Sequence, residues 1–193
     1  MGLFSQRFRK LSIFNQNGIM LQLNLIPFPV LNTDRLVLRQ LENLDDNELF
    51  LLRSDESVNK YLDGFKHDSI EQTRIFIQKI LNNESVFWAI CLKTDLKKLI
   101  GTICLWNIMK EDAKAEIGFV LHPMFQGKGY MKEAVNRVID YAFNDIHLKM
   151  IEAFTHTDNE ASNRLLLRMN FKKNDNKKEG DNNICYLLNN KFI

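Results

Sequence analysis

The chain has 193 residues, of which 45% are hydrophobic and 26% are charged, and this size and composition favour one globular domain with a sizeable core. A formal net charge of +2 gives no field that would argue for nucleic-acid binding, so we expect no nucleic-acid partner. The cysteines are far apart and match no zinc-ligand spacing, so we predict no metal site and reduced thiols in a cytoplasmic protein at Cys91, Cys104 and Cys185.

Residues 1–31 form an extension before the predicted domain, which covers residues 32–193. The apolar stretch IMLQLNLIPFPVL is interrupted by two amides and two prolines, so it is typical of neither a signal peptide nor a membrane span, and we expect no membrane association. No periodicity precedes Met20. We therefore also predict that residues 1–19 are dispensable and that Met20 is the true start.

Strand-like and helix-like stretches follow one another after this extension. RLVLRQL at residues 35–41 alternates polar and apolar residues, as a half-buried strand does. Two helices are predicted after it, one N-capped by Asn43 and one by Ser69. Three more strands joined by short polar turns predict an antiparallel meander at residues 86–93, 99–108 and 114–123.

After Pro123 the spacing of apolar residues changes from two to 3.6, and YMKEAVNRVIDYAFNDI predicts an amphipathic helix. A strand at residues 149–156 follows. The next helix is predicted to be N-capped by Thr157, from its capping-box spacing, and to end at Asn170, because asparagine tolerates the left-handed conformation. A final hairpin ends with a strand at residues 183–188. The order β-α-α-β-β-β-α-β-α-β-β predicts an α/β fold.

The junction before the long helix, QGKGYM, carries two glycines and a lysine. A Walker A loop needs Ser or Thr after its lysine, and here Gly129 follows Lys128; a dinucleotide loop needs a third glycine where Lys132 stands. Glycines without Cβ let backbone N–H groups approach an anion, and the helix adds its positive dipole end. These residues alone leave two interpretations open, a pyrophosphate-binding nest and an ordinary glycine turn.

The sequence AEIGFVLHPMFQGKGYMKEAV resembles the central motif of the GNAT acetyltransferase superfamily, whose Gln/Arg-x-x-Gly-x-Gly/Ala loop holds the pyrophosphate of acetyl-CoA. Gln126 and Gly129 match this pattern, and Met131 stands at its final position. NTDRLVLRQL and NEASNRLLLRMNF resemble the RimJ/RimL-like branch of that superfamily. The resemblance covers about residues 32–188 and implies a GNAT fold, with a mixed, mostly antiparallel sheet flanked by helices.

The resemblance also implies acetyl-CoA as co-substrate and a primary amine as acceptor, with no metal. The strand EIGFVL is expected to splay from the next strand and to pair with the pantetheine arm, and the backbone N–H of Val120 is the expected oxyanion donor. The implied cofactor-binding residues are Phe119, Val120, Leu121, Gln126, Gly127, Lys128, Gly129, Tyr130, Met131 and Asn159.

Two residues are candidates for catalysis. Glu116 opens the central strand and is the predicted base for the amine proton, directly or through a water; the alternative is an exposed strand carboxylate. Many superfamily members protonate the leaving thiolate with a tyrosine, and that position is Leu166 here. Ser162 lies on the same helical face and is the predicted partner of the thiolate. His122 is expected to be a turn residue, and Trp88 and Trp106 are expected to lie in the core.

We therefore expect an N-acetyltransferase that acts on a protein N-terminal α-amine or a small amine by direct attack. Acetylation of polyamines or aminoglycosides stays open, and a non-catalytic acyl-CoA sensor is the rival because the tyrosine is absent. The segment from Leu41 to Lys66 contains seven acidic and three basic residues. This excess either complements a helix dipole or steers a basic protein N-terminus. Both a monomer and a homodimer are compatible with the sequence.

Overall fold

The computed structural model describes residues 11–14, 20–23, 25, 27–62, 66–82, 85–175 and 182–191. The strands are β1 (Leu11–Phe14), β2 (Met20–Leu23), β3 (Leu31–Asn32), β4 (Leu36–Gln40), β5 (Val86–Leu92), β6 (Asp95–Met109), β7 (Lys114–Leu121), β8 (Met150–His156), β9 (Lys172–Asn174) and β10 (Asn183–Asn189). The helices are α1 (Asp46–Ser54), α2 (Glu56–Asn59), α3 (Ile70–Leu81), α4 (Tyr130–Asp140) and α5 (Glu160–Arg168). Short 3₁₀ turns precede α1 and α4, and a π-helical turn extends α4 to Asp145.

Eight of these strands form one mixed sheet in the order β3-β4-β5-β6-β7-β8-β10-β9. Every neighbouring pair is antiparallel except β7 and β8, which run parallel. The predicted fold, including the meander of β5, β6 and β7, is confirmed. The structure adds the short elements β3 and α2 to the predicted order.

The predicted N-terminal extension contains a separate two-stranded sheet. Leu11 of β1 pairs with Leu23 of β2 in antiparallel register, and neither strand joins the eight-stranded sheet. Residues 1–10 and 15–19 lie outside the described residues. The expectation that residues 1–19 are dispensable therefore stays a prediction.

The sheet carries a hydrophobic core on each face. Successive side chains of a strand point to opposite faces, so β7 directs Ile117 and Leu121 to the core that includes α4 and α5. Val120 points to the second core, which includes α1 and α3. Glu116 and Gly118 share the direction of Val120, and we call this side of the sheet the α1–α3 face.

Local capping confirms one predicted helix start and corrects another. Ser69 caps α3 as predicted, because its hydroxyl accepts the Gln72 backbone N–H at 3.4 Å. Asn43 is not the cap: Glu42 is the N-cap of the 3₁₀ turn before α1, and Asp45 is the N-cap of α1 itself. The Glu42 backbone N–H donates to the carboxylate of Asp45 at 2.7 Å, so the chain turns one residue earlier than predicted.

The predicted Thr157 cap of α5 is wrong, and Asn159 takes its place. The backbone N–H of Thr157 donates to the Asn182 carbonyl at 2.8 Å, which holds Thr157 to the neighbouring strand. The Asn159 side chain instead accepts the Ser162 backbone N–H at 3.2 Å. The helix ends as predicted at Asn170, whose φ of 63° is in the left-handed region.

Within the described part of the chain, no helix is long and apolar enough to cross a membrane. The three cysteines are free thiols, as predicted, and burial raises the pKa of Cys91 to about 11 and that of Cys104 to about 12. Both thiols are therefore protonated at neutral pH and behave as small apolar groups.

Candidate active site

A gap opens between β7 and β8. Their parallel ladder covers three residue pairs, the last of which joins Glu116 to Glu152. Beyond this pair β7 continues to Leu121, while β8 stays paired with β10 as far as His156. The two strands therefore splay, and the free side of β7 can accept an extended chain through backbone hydrogen bonds. This is the splay that the resemblance implies.

The register of β7 decides which backbone groups face the gap. The His122 N–H donates to the Ile100 carbonyl of β6 at 2.9 Å, and Val120 is paired with Thr102 two residues earlier. Because N–H groups alternate along a strand, Val120 also directs its N–H toward β6. The predicted Val120 oxyanion donor is therefore wrong on this geometry. The backbone groups of Phe119 and Leu121 face the gap instead.

The glycine loop follows β7 at the open end of the gap. Gly127 and Gly129 have φ values of 74° and 81°, a region that favours glycine. The first intrahelical bond of α4 runs from the Glu133 N–H to the Gly129 carbonyl at 3.1 Å, so the N–H groups of Tyr130 and Met131 precede the helical ladder. This arrangement fits a pyrophosphate group.

The predicted loop residues all lie around this helix start. The Gln126 side chain donates to the Leu121 carbonyl at 2.9 Å and thereby joins the loop to the end of β7. Lys128 is exposed, with its ammonium 5.6 Å from the centre of the Phe125 ring. Two predicted positions, Gln126 and Lys128, therefore sit on the rim of the loop, where a cation and an amide can meet phosphate oxygens.

Glu116 lies at the base of the gap on the α1–α3 face. It is 7% exposed, so the alternative of an exposed strand carboxylate is wrong. The Asn107 side-chain amide donates to its Oε1 at 2.5 Å, from a backbone with φ of 46°. Its partner in the ladder, Glu152, is 4% exposed and lies 4.0 Å from the Lys114 ammonium. Two buried glutamates are thus paired in register where the strands separate.

Trp106 was expected in the core, and the structure corrects this expectation. Trp88 is fully buried, whereas Trp106 is 48% exposed and is paired in register with Glu116. A Cβ added at Gly118 would lie 3.9 Å from the Trp106 Nε1, so the indole sits beside the bare backbone of β7. An exposed aromatic ring next to carboxylates suits a cationic ligand. The sequence placed Trp106 inside a strand but did not show that this part of the sheet is uncovered.

The predicted thiolate partner belongs to a helix on the other face of the sheet. Ser162 lies in the first turn of α5, and α5 packs on the core opposite to the α1–α3 face. Asn159 caps this helix, so its Oδ1 is engaged by the Ser162 N–H. Leu166 is buried in the core. Glu116 and Ser162 therefore belong to elements on opposite faces of the sheet.

Two further residues near the gap were not identified from the sequence. Tyr61, after α2, stacks on His156 at the open end of β8, with ring centres 5.4 Å apart. Asn163 donates to the carbonyls of His156 and Thr157 and accepts the Tyr186 hydroxyl at 3.0 Å. These contacts tie α5 and the residues after α2 to the end of β8 and to β10. Tyr61 belongs to no motif, and Asn163 lies within NEASNRLLLRMNF without a role that its spacing reveals.

A buried polar network lies between α1 and α3. The Arg53 Nε donates to the His67 Nε2 at 2.9 Å, and the other ring nitrogen of His67 lies 2.8 Å from the Thr73 hydroxyl. Burial lowers the pKa of Arg53 to about 10. Burial and the Arg53 charge lower the pKa of His67 to about 4, so this histidine is neutral at pH 7. Since Nε2 accepts, Nδ1 carries the proton and donates to Thr73.

Among the described residues, no group of three or more His, Cys, Asp or Glu side chains is arranged to hold a metal ion. A splayed parallel strand pair, a glycine loop at a helix N-terminus and a buried carboxylate together define a CoA-dependent N-acyltransferase. Residues 35–172 match the family described as acetyltransferase (GNAT) domain, and the chain belongs to this family. The predicted membership is confirmed.

Known proteins agree with this assignment. The chain is 38% identical over 150 residues to the uncharacterized N-acetyltransferase YoaA of Bacillus subtilis (strain 168), covering 76% of this chain and 84% of that protein. The fold is shared with a GNAT-family acetyltransferase from Bacillus anthracis, with a TM-score of 0.75, 23% identity, and coverage of 83% and 98% of the two chains.

Two more distant relatives carry names that state an acceptor. One is the [ribosomal protein uS5]-alanine N-acetyltransferase of Escherichia coli (strain K12), 29% identical over 77% of this chain and 80% of that protein. The other is the spermidine N(1)-acetyltransferase of Vibrio cholerae serotype O1, 25% identical over 65% and 72%. This protein is therefore an N-acetyltransferase of the GNAT type, related to the RimJ/RimL-like branch.

Proposed function

We propose that this enzyme transfers acetyl from acetyl-CoA to the primary amine of a protein N-terminus or a small molecule, by direct attack of the neutral amine. The observation that carries the proposal is the burial of Glu116 at the point where β7 and β8 separate. A free α-amine has a pKa near 8, so a carboxylate at this point is a sufficient base at neutral pH.

The residues of the loop and of β7 fit acetyl-CoA, which supplies an activated acetyl group when it is bound. The N–H groups at Gly127, Gly129 and the first turn of α4 bind the pyrophosphate. The backbone of Phe119 and Leu121 pairs with the pantetheine arm along the gap. The Phe119 N–H, and not the Val120 N–H, is the oxyanion donor on this proposal, because the register with β6 leaves it facing the gap.

The protons are handled on opposite sides of the gap. Glu116 accepts the proton that the amine loses as its nitrogen forms the new bond to the acetyl carbon. The carbon–sulfur bond breaks, and Ser162 donates a hydrogen bond to the sulfur that leaves as thiolate. Asn107 holds the Glu116 carboxylate in place through the bond to its Oε1. Ser162 acts from α5, so base and thiolate partner do not compete for one proton.

On this proposal the acceptor reaches the site as an ammonium cation, which gives one proton to solvent before the neutral amine attacks. Glu116, Glu152 and the exposed ring of Trp106 surround the position from which the amine approaches. The acidic segment around α1 contributes less than its sequence suggested. Asp45 is paired with Arg39 and Asp46 with Arg74, and Asp63 lies outside the described residues. The support for a cationic acceptor therefore comes from the base of the gap.

Release of free thiol from acetyl-CoA tests the proposal when it is measured with panels of peptide N-termini, polyamines and aminoglycosides. We expect turnover with at least one cationic amine and loss of that turnover in Glu116→Gln. Preference for a basic peptide supports an N-terminal acetyltransferase, and preference for a polyamine supports the small-amine alternative. Tight acetyl-CoA binding without turnover on any amine would contradict the enzyme assignment and favour the acyl-CoA sensor.

A further inference from the structure

The segment NTDRL before β4 contacts the start of α4, about 100 residues later in the chain. One carboxylate receives most of these contacts. The Thr33 hydroxyl donates to the Glu133 Oε1 at 2.5 Å, and the Arg35 backbone N–H donates to the same oxygen at 2.8 Å. The Arg35 Nε and Nη2 both lie 2.7 Å from the Glu133 Oε2. The two oxygens of Glu133 are thus held by four donors from one short segment.

The remaining arm of the Arg35 guanidinium reaches the glycine loop. Its Nη1 donates to the Lys128 carbonyl at 3.0 Å. The peptide bond between Lys128 and Gly129 is planar and trans, so its N–H points away from its carbonyl. Arg35 holds that carbonyl on its own side and therefore directs the Gly129 N–H to the other side, where an anion approaches the helix. The guanidinium also stacks over Tyr130, 4.5 Å from the ring centre.

Arg35 further removes an electrostatic obstacle. Glu133 lies in the first turn of α4, where its negative charge would oppose an anion bound at the helix N-terminus. Burial would raise the pKa of Glu133, but the hydrogen bonds from Thr33 and Arg35 outweigh burial and lower it. The carboxylate is thus ionised, and the Arg35 charge compensates it. Arg35 itself is 47% exposed, so it remains close to solvent and to the loop.

We propose that Arg35 is a positioning residue for the pyrophosphate of CoA. It acts through the Lys128 peptide and through Glu133, and Thr33 supports it. The inference rests on the proposed binding of acetyl-CoA at this loop. It assigns a role to the NTDRL segment, which is part of the family resemblance but had no function assigned to it. Lysine cannot replace Arg35, because one ammonium cannot engage Glu133 and the Lys128 carbonyl with the same fork of donors.

Calorimetric binding of free CoA tests the proposal without needing the acceptor. We expect Arg35→Gln and Arg35→Lys each to weaken CoA binding about tenfold, the effect of one charge-assisted hydrogen bond. Thr33→Val removes the hydroxyl that donates to Glu133 and accepts the Leu36 backbone N–H at 2.9 Å. It should weaken CoA binding about threefold, because a hydroxyl hydrogen bond contributes less than one from a guanidinium. The control Arg74→Gln removes another exposed arginine that is paired with an aspartate away from the loop, and it should bind CoA as the wild type does.

The outcomes separate this inference from the proposed function. A wild-type protein that fails to bind CoA contradicts the proposed function itself. Wild-type binding with unchanged affinity in Arg35→Lys overturns the positioning role and leaves only a charge effect. Unchanged affinity in both Arg35→Gln and Thr33→Val overturns the inference entirely. If Arg35→Gln melts early, Arg35→Lys and Thr33→Val decide the result on their own.

Discussion

Replacing Gly129 with Asp or Asn changes the residue just before α4 in two separable ways. The φ of 81° disfavours most side chains, but Asn and Asp tolerate this region better than other residues. The added Cβ of either residue would lie 3.4 Å from the Arg35 Nη2, close enough to press on the guanidinium. Only Asp also adds a negative charge beside the site of the pyrophosphate. The pair therefore isolates charge from shape.

The magnitudes follow from these contacts. The Asn side chain presses on Arg35 and fills part of the nest, so the Gly129→Asn variant should bind CoA about threefold more weakly than the wild type. This effect is smaller than the loss of one charge-assisted hydrogen bond. The Gly129→Asp variant should bind CoA about tenfold more weakly than the Asn variant, a difference of about 1.4 kcal/mol. The reason is that two like charges about 4 Å apart near a protein surface repel by a few kcal/mol.

Calorimetry at low and high salt provides the assay. The difference between the Asp and Asn variants should shrink as salt rises, because added ions screen an exposed charge. Melting temperatures of both variants control for folding. Equal CoA affinity of wild type and folded Gly129→Asp would refute the assignment of this loop to pyrophosphate. Equal affinity of the Asp and Asn variants would refute the electrostatic part of the reasoning.

Four further predictions concern the two proposed catalytic residues, the N-terminus, a buried histidine and Trp106. Glu116→Gln and Ser162→Ala should each lower kcat roughly 10- to 1000-fold while CoA binding is retained, as expected for proton-transfer groups. Deletion of residues 1–19 should leave melting temperature and acetyl transfer nearly unchanged, because β1 pairs with β2 and not with the main sheet. His67 is neutral in the folded protein, because its pKa is lowered from 6.5 to about 4. Its contribution to stability is therefore complete above pH 6.5 and is lost as the pH falls toward 4. The His67→Gln substitution should flatten this part of a plot of melting temperature against pH. Trp106→Ala should raise the acceptor KM several-fold and leave the acetyl-CoA KM unchanged.

Each of these predictions has a result that contradicts it. Near-normal turnover in both Glu116→Gln and Ser162→Ala removes their assigned roles. A large loss of melting temperature on deletion of residues 1–19 shows that the segment packs on the domain. An unchanged pH dependence in His67→Gln removes the linkage to its protonation. For Trp106, the control is Met109→Ala, an exposed residue farther along β6; equal effects of the two variants argue against an acceptor contact.

Local features of this protein could be read from the sequence because they depend on neighbouring residues. Alternation predicted β4, strand-like runs separated by short polar turns predicted the meander, and the 3.6-residue period predicted α4. The glycines of the loop and Asn170 were recognised because a left-handed backbone is a property of single residues, and all three positions have positive φ. The resemblance then supplied the order in which these elements assemble.

The tertiary structure decided which side chains are covered and which groups face the gap. Glu116 and Trp106 are paired in register on one face, yet one is buried and the other is half exposed. The direction of the Val120 N–H depends on the register with β6. Arg35 and Glu133 are 98 residues apart, and their contact exists only because β4 and the start of α4 meet in the folded chain. Periodicity determines the direction of a side chain, whereas long-range packing determines what that side chain meets.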